Sequence, residues 1–278
     1  MSAVQRITSR NARFQQWEAL LGNRRKRGSL RAFLVQGVRP ISLAVEHGWP
    51  IDALLHDDRR KLSDWARELL RTVRAERFAL APELLADLGG KTEGAPELIA
   101  VVGMPADGLD RIEVGPDFLG VLFDRPTSPG NIGSVIRSAD AFGAHGMIVT
   151  GHAADLYDPK SVRATTGSLF SLPAVRVPAP DEVMTWVERQ RAAGLPLVLV
   201  GTDEKGDADV YDFDLTQPVL LLVGNETSGL SSAWRERCDA MVGIPMTGAA
   251  SSLNAATAAT AVLYEASRQR TAAVRRGR

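Results

Sequence analysis

Cysteine is nearly absent: Cys238 stands alone among 278 residues, which excludes an internal disulfide framework and any multi-cysteine zinc site. No apolar run approaches the roughly 18–20 residues that span a bilayer. Residues 1–11 are polar and basic, with no apolar h-region, so a secretory signal is not expected and a cytoplasmic protein is the default. The glycine-bracketed loop at 220–230 does not end in Gly-Lys-Ser/Thr, so it is not a Walker A phosphate site, and the missing G-x-G-x-x-G counts against a nicotinamide-dependent dehydrogenase. Net charge is missing too, since 33 Lys+Arg balance 33 Asp+Glu. What is present, 45% hydrophobic and 24% charged residues with 25 Gly, describes an ordinary globular chain, long enough for one large domain or two modest ones.

The charge balance hides an asymmetry. Residues 1–40 hold nine Lys/Arg and one acid, a net of +8, and the rest of the chain is acidic. Arg24, Arg25, Lys26 and Arg27 form the densest basic stretch. A localised basic segment fits contact with a polyanion, or else a solvated tail.

Periodicity places a helix over 11–21, with Phe14, Trp17 and Leu21 on one face, then a basic loop at 24–27. Short strands are expected at 33–35, 51–55 and 97–102, and helices at 40–47, 62–75 and 82–88, a small α/β unit. Residues 103–117, rich in Gly and Pro, are the best linker. Beyond it, strands at 118–123, 147–150, 197–201, 219–223 and 240–244 alternate with helices at 131–142, 158–168, 181–193, 231–237 and 253–269. Continuous apolar strands between helices indicate a buried, mostly parallel sheet. The expected organisation is a basic segment 1–29, a small α/β domain 30–103, a linker 104–117, an α/β domain 118–270 and a basic tail 271–278.

In open α/β sheets ligands bind beyond the carboxyl ends of the strands, and three such ends are unusual here. The first runs from Asp124 to Arg137. Pro129-Gly130 makes a turn, Asn131 can cap the following helix, and Arg137 leans back over Gly133 toward the strand end. A plainer reading pairs Arg137 with Asp140. The second, Val223-Gly224-Asn225-Glu226-Thr227-Ser228-Gly229, is bracketed by glycines that permit close backbone approach. The third, Ile244-Pro245-Met246 to Ser251-Ser252-Leu253-Asn254, enters a helix of almost only small residues, which must pack closely against a neighbour.

Together, in this order and spacing, the three loops resemble the motifs of the SpoU (TrmH-type) class of SPOUT RNA methyltransferases. The matching residues are Asn131, Gly133 and Arg137; then Gly224, Glu226 and Gly229; then Ile244, Pro245, Met246, Ser252, Leu253 and Asn254. Residues 30–102 are similar to the L30e-type RNA-binding domain that often precedes this catalytic domain. The chain as a whole, including Ser9 to Phe14 and Asp124 to Pro129, is similar to the avilamycin-resistance type of 23S rRNA uridine 2′-O-methyltransferase.

The resemblance implies a mostly parallel sheet with a deep C-terminal trefoil knot, a homodimer, and S-adenosylmethionine as cofactor without a metal. It implies cofactor binding at Gly224, Ile244 and Leu253, with Gly201, Val223, Gly229 and Met246 joining them. It implies methyl transfer to a ribose 2′-hydroxyl, with Arg137 central and Asn131, Glu226, Ser252 and Asn254 holding Arg137 and the ribose. RNA phosphates are then expected at Arg24 to Arg27. The expected substrate is 23S rRNA. The alternatives are a tRNA guanosine 2′-O-methyltransferase and, from another class, a non-catalytic RNA-binding assembly factor.

Overall fold

A computed structural model describes residues 4–90 and 96–276. Two compact units divide the chain. One comprises the residues up to Ala106 together with Asp155–Ser171; the other comprises Asp107–Ala154 and the residues from Leu172 on.

The first unit opens with β1 (Gln5–Ile7), α1 (Ala12–Gly22), α2 (Arg24–Leu30), β2 (Ala32–Gln36), α3 (Val38–Glu46) and β3 (Ile51–Asp57). It continues through α4 (Asp64–Thr72), β4 (Glu76–Leu80), α5 (Pro82–Gly89) and β5 (Leu98–Gly103). The sheet order is β1-β4-β3-β5-β2. Both neighbours of β5 run antiparallel to it. Strand alternation sorts the core onto two faces. Leu34 joins Phe14, Trp17, Leu20 and Leu85 in one cluster. Phe33 on the other face meets Tyr157 at 4.8 Å between ring centroids, near Phe170.

Residues 1–29 are therefore no separate basic segment. β1 pairs with β4, and α1 buries Phe14, Trp17 and Leu20, each contributing about 1.5–3 kcal/mol of apolar burial. Leu20 takes the buried place expected for Leu21. The expected basic loop at 24–27 is the first turn of α2, capped by the Asn23 side chain, which accepts from Lys26 N–H at 3.1 Å. Arg27 is 2% exposed. Its Nε donates to Asp155 at 2.8 Å and its Nη1 to the Leu20 carbonyl at 2.6 Å. An arginine spent on a buried carboxylate and a helix C-terminal carbonyl has no face left for RNA phosphate, so its expected RNA-binding role is withdrawn.

The second unit begins with a 3-10 turn (Leu109–Arg111). Leu109 and Ile112 are buried in that unit's core, so the expected linker is partly core. β6 (Leu119–Asp124), α6 (Pro129–Ala141) and β7 (Gly146–Thr150) follow. The chain then lends α7 (Pro159–Thr165) and α8 (Ser168–Ser171) to the first unit and returns as β8 (Ala174–Arg176) and α9 (Pro180–Ala192). Next come β9 (Val198–Thr202), β10 (Ala208–Asp209), β11 (Val219–Val223), α10 (Ser232–Arg235), β12 (Ala240–Gly243) and α11 (Ala255–Arg276). α11 absorbs the expected basic tail as far as Arg276; residues 277–278 lie outside the described residues.

Every pairing in this sheet is parallel, in the order β10-β12-β9-β11-β6-β7-β8. The chain steps outward from β6 through β7 to β8, then crosses to β9 and fills in β11 beside β6. The carboxyl ends of β6 and β11 thus flank a topological switch point, where such sheets bind ligands. The small-residue stretch of α11 buries Ala256 and Ala259. It packs on α6, where the Ser138 and Thr260 hydroxyls lie 2.7 Å apart. Among the described residues no helix is long and apolar enough to cross a membrane.

Candidate active site

The three unusual loops leave β6, β11 and β12 at their carboxyl ends. α6 starts two residues earlier than expected. Pro129 occupies its first position, and Ser128 is its N-cap, whose hydroxyl accepts from Asn131 N–H at 3.3 Å. Asn131 is therefore not the cap, and its side chain is released for tertiary contact. Its Nδ2 donates to Glu226 Oε1 at 3.0 Å, and its Oδ1 accepts from Asn254 Nδ2 at 3.2 Å. Asn254 in turn caps α11, its Oδ1 accepting from Ala256 N–H at 2.9 Å and Thr257 N–H at 3.3 Å. One continuous chain of side chains thus ties the three loops together.

Glu226 is the hub. Its Oε2 accepts from Thr127 N–H (2.9 Å) and Oγ1 (3.0 Å), and its Oε1 from Ser128 N–H (3.0 Å) as well as from Asn131. Burial pushes this carboxyl up, but the Thr127 N–H, the Asn131 amide and the Ser128 N–H outweigh it and hold the group below the ordinary glutamate value. A carboxylate with both oxygens occupied and a lowered affinity for protons is a clamp, poorly suited to act as a base.

A cavity of about 380 Å³ opens beside this chain, within the size range of small-molecule sites. Of the expected cofactor residues, Val223, Gly224, Gly229, Ile244, Met246 and Leu253 line it, and so do Glu226 and Ser252. Gly201 does not. A Cβ there would meet Met241 Sδ at 2.4 Å and Cys238 Sγ at 2.8 Å, so this glycine serves close packing beneath the site. Burial pushes the neighbouring Cys238 thiol up to about 11, which makes it inert packing. At Gly224 an added Cβ would lie 2.3 Å from Gly229 C and Leu230 N; only glycine lets loop 224–230 close on itself.

Arg137 stands apart. It is exposed on α6 and makes no hydrogen bond or ion pair among the described residues, with Asp140 or with the Asn131–Glu226–Asn254 chain. An exposed guanidinium on α6, the helix that also carries Asn131, is available to an incoming anion.

Some lining residues had not been expected. Thr202, Asp203, Glu204 and Arg235 also line the cavity. Burial raises the Asp203 carboxyl, but the Lys205 N–H and the hydrogen bond from Arg235 bring it below its usual value. The signal available was an acidic pair directly after a strand end. Carboxylates on the wall and apolar Met246 and Leu253 left exposed at 36% and 40% suit a ligand that joins a flat heterocycle to a cationic centre. The donor set therefore fits S-adenosylmethionine.

Fold and site define the class: the chain belongs to the SpoU rRNA methylase family, whose model matches residues 119–264, and the SpoU L30e-like domain matches residues 11–100. Over 268 residues, 96% of this chain and 93% of the relative, it is 75% identical to the 23S rRNA (uridine(2479)-2'-O)-methyltransferase of Streptomyces viridochromogenes. It superposes with TM-score 0.92 on the crystal structure of the SpoU methyltransferase AviRb from the same organism in complex with AdoMet. That match has 74% identity and covers 94% of this chain and 99% of that one. An AdoMet-bound rRNA methyltransferase from Sinorhizobium meliloti matches at 29% identity and TM-score 0.81, over 95% of this chain and 98% of that one.

Proposed function

We propose that this chain transfers a methyl group from S-adenosylmethionine to a ribose 2′-hydroxyl of 23S rRNA, at a uridine. The observation that carries the reading is the cavity beyond the carboxyl ends of β9, β11 and β12, walled by the second and third motifs and bordered, through Glu226, by the Glu226–Asn131–Asn254 chain. Its support from relatives is the 75% identity to a 23S rRNA uridine 2′-O-methyltransferase and the AdoMet-bound SpoU structure it resembles.

Val223, Gly224, Ile244, Met246 and Leu253 hold the cofactor, which when bound supplies an electrophilic methyl carbon on a positively charged sulfur. The protein's own work is alignment and charge. A ribose hydroxyl is weakly acidic, so the attacking oxygen must be placed in line and its developing negative charge stabilised. Arg137 does both, gripping the adjacent phosphate and facing the oxygen. A guanidinium stays protonated at ordinary pH, so the hydroxyl proton passes to a phosphate oxygen or to solvent. Glu226 keeps Asn131 and the 127–128 backbone in place, and Asn131, Asn254 and Ser252 orient the ribose. Arg24, Arg25 and Lys26, exposed on α2, contact phosphates.

The exposed third motif and Tyr264, 58% exposed on α11, fit coverage by a second copy in a cytoplasmic homodimer. Residues 244–254 form the crossing of the trefoil knot. A role in resistance to a ribosome-directed antibiotic follows from the same uridine assignment. The test is transfer of labelled methyl from S-adenosylmethionine to unmodified 23S rRNA and, separately, to unmodified tRNA. Label in 23S rRNA alone is expected. Label in tRNA overturns the substrate, and no label with no cofactor binding overturns the enzyme reading.

A further inference from the structure

We propose that Arg125, which lies outside all three motifs, is a positioning residue for the cofactor: it fixes the 225–229 turn that walls the cavity. The proposal rests on the reading that this cavity holds S-adenosylmethionine.

The 225–229 turn is closed by a reciprocal pair of backbone hydrogen bonds between Asn225 and Gly229, each 3.0 Å. All five of its residues are polar or glycine and two, Thr227 and Ser228, are exposed, so the turn has little apolar burial of its own to hold it. Arg125 holds both of its ends. The Arg125 carbonyl accepts from Asn225 Nδ2 at 2.7 Å, and Arg125 Nη2 donates to the Gly229 carbonyl at 3.1 Å.

Arg125 is itself tightly constrained. Its Nε donates to Asp124 Oδ2 at 3.0 Å, and its own N–H donates to the Thr150 carbonyl at 3.0 Å. Asp124 is 2% exposed and also accepts from Ser231 N–H at 2.9 Å and Thr150 Oγ1 at 3.2 Å, so it cannot swing. Two further features show a conformation that the surroundings impose. Arg125 has φ +51°, in the left-handed region that costs a residue with a side chain. A Cβ at Gly151 would lie 2.5 Å from Arg125 Cγ, so the path of the arginine stem needs a glycine there. The planar fork is essential, because Nε and Nη2 point to different partners, a carboxylate and a carbonyl, which a single ammonium cannot satisfy together. Arg125 does not itself line the cavity, so it acts on the cofactor only through the turn.

The experiment compares the full-length wild-type chain, Arg125→Lys, and the double substitution Asp124→Asn/Arg125→Gly. The lysine keeps a charge opposite Asp124 without the fork. The double substitution removes that buried charge and puts glycine where φ is positive. S-adenosylmethionine affinity is read by calorimetry, and amide exchange of residues 225–229 is read in the free chain. For both variants we expect cofactor affinity to fall about tenfold or more, exchange in the turn to quicken, and KM for the cofactor to rise while kcat at saturation changes little. Thermal melting of the lysine variant should stay close to wild type, which a purely structural role would not allow alongside a raised KM. Wild-type affinity with unchanged exchange in either folded variant overturns the proposal. Absence of binding by the wild type itself overturns the underlying function instead.

Discussion

Replacing Glu226 by Gln tests whether one carboxylate holds the first two loops together. The native group accepts four hydrogen bonds at 2.9–3.0 Å, two on each oxygen. A glutamine keeps one oxygen. Whichever way the amide turns, its NH₂ confronts either the Thr127 N–H and hydroxyl or the Ser128 N–H and the Asn131 amide. Two charge-assisted bonds are lost and backbone donors face a donor. Each such bond contributes about 1.5–3 kcal/mol when buried. Thr127 is exposed and water replaces part of its loss, so a net cost of about 1–3 kcal/mol is reasonable. That corresponds to a fall of about 5- to 150-fold in the population of closed loops, and in methylation at limiting cofactor. The cost is local, so global melting should move little while exchange of the Thr127 and Ser128 amides accelerates. Turnover within twofold of wild type, with both amides exchanging as before, would refute the clamp.

Other outcomes follow from the same geometry. Arg137→Ala should abolish methyl transfer while leaving fold and cofactor affinity intact, because Arg137 makes no hydrogen bond or ion pair among the described residues; Arg137→Lys should also fail, and near wild-type turnover in either sinks the assignment. Arg27→Met takes from buried Asp155 the guanidinium that donates to it at 2.8 Å and should cost about 3–5 kcal/mol in denaturant unfolding, whereas Arg25→Ala and Lys26→Ala should leave stability alone and reduce the salt dependence of RNA binding. The Glu226 carboxyl titrates below its unfolded value, so its contribution is full above the ordinary glutamate pKa and is lost as pH falls through the folded value. Amide exchange at residues 127–128 should therefore quicken in acid before the protein unfolds, and a flat profile would contradict this.

Much of this arrangement is legible in the amino-acid sequence. Periodicity locates α1 through Phe14 and Trp17, and the apolar runs at 118–123 and 219–223 announce a parallel sheet. The three loops stood out because each couples a strand end to glycine or proline. What escaped depends on partners far away in the chain. β4 begins Glu76-Arg77 and shows its apolar half only beside β3. α2 begins with four basic residues, and nothing local reveals that Arg27 turns inward to Asp155, 128 positions on. Local pattern likewise could not assign Asp155–Ser171 to the first unit, or place Arg125 against Gly229. The cap of α6 was misplaced for a simpler reason: Ser128 and Asn131 are both good caps, and Pro129 at the first helical position decides for Ser128.

The most direct measurement is the position of the transferred methyl. Wild-type protein is incubated with labelled S-adenosylmethionine and unmodified 23S rRNA, and the RNA is hydrolysed in alkali, which cannot cut beside a 2′-O-methyl group. Label in an alkali-resistant dinucleotide containing uridine, absent with Arg137→Ala, is the expected result. Label released in single nucleotides would place the methyl on a base and contradict ribose methylation at this site.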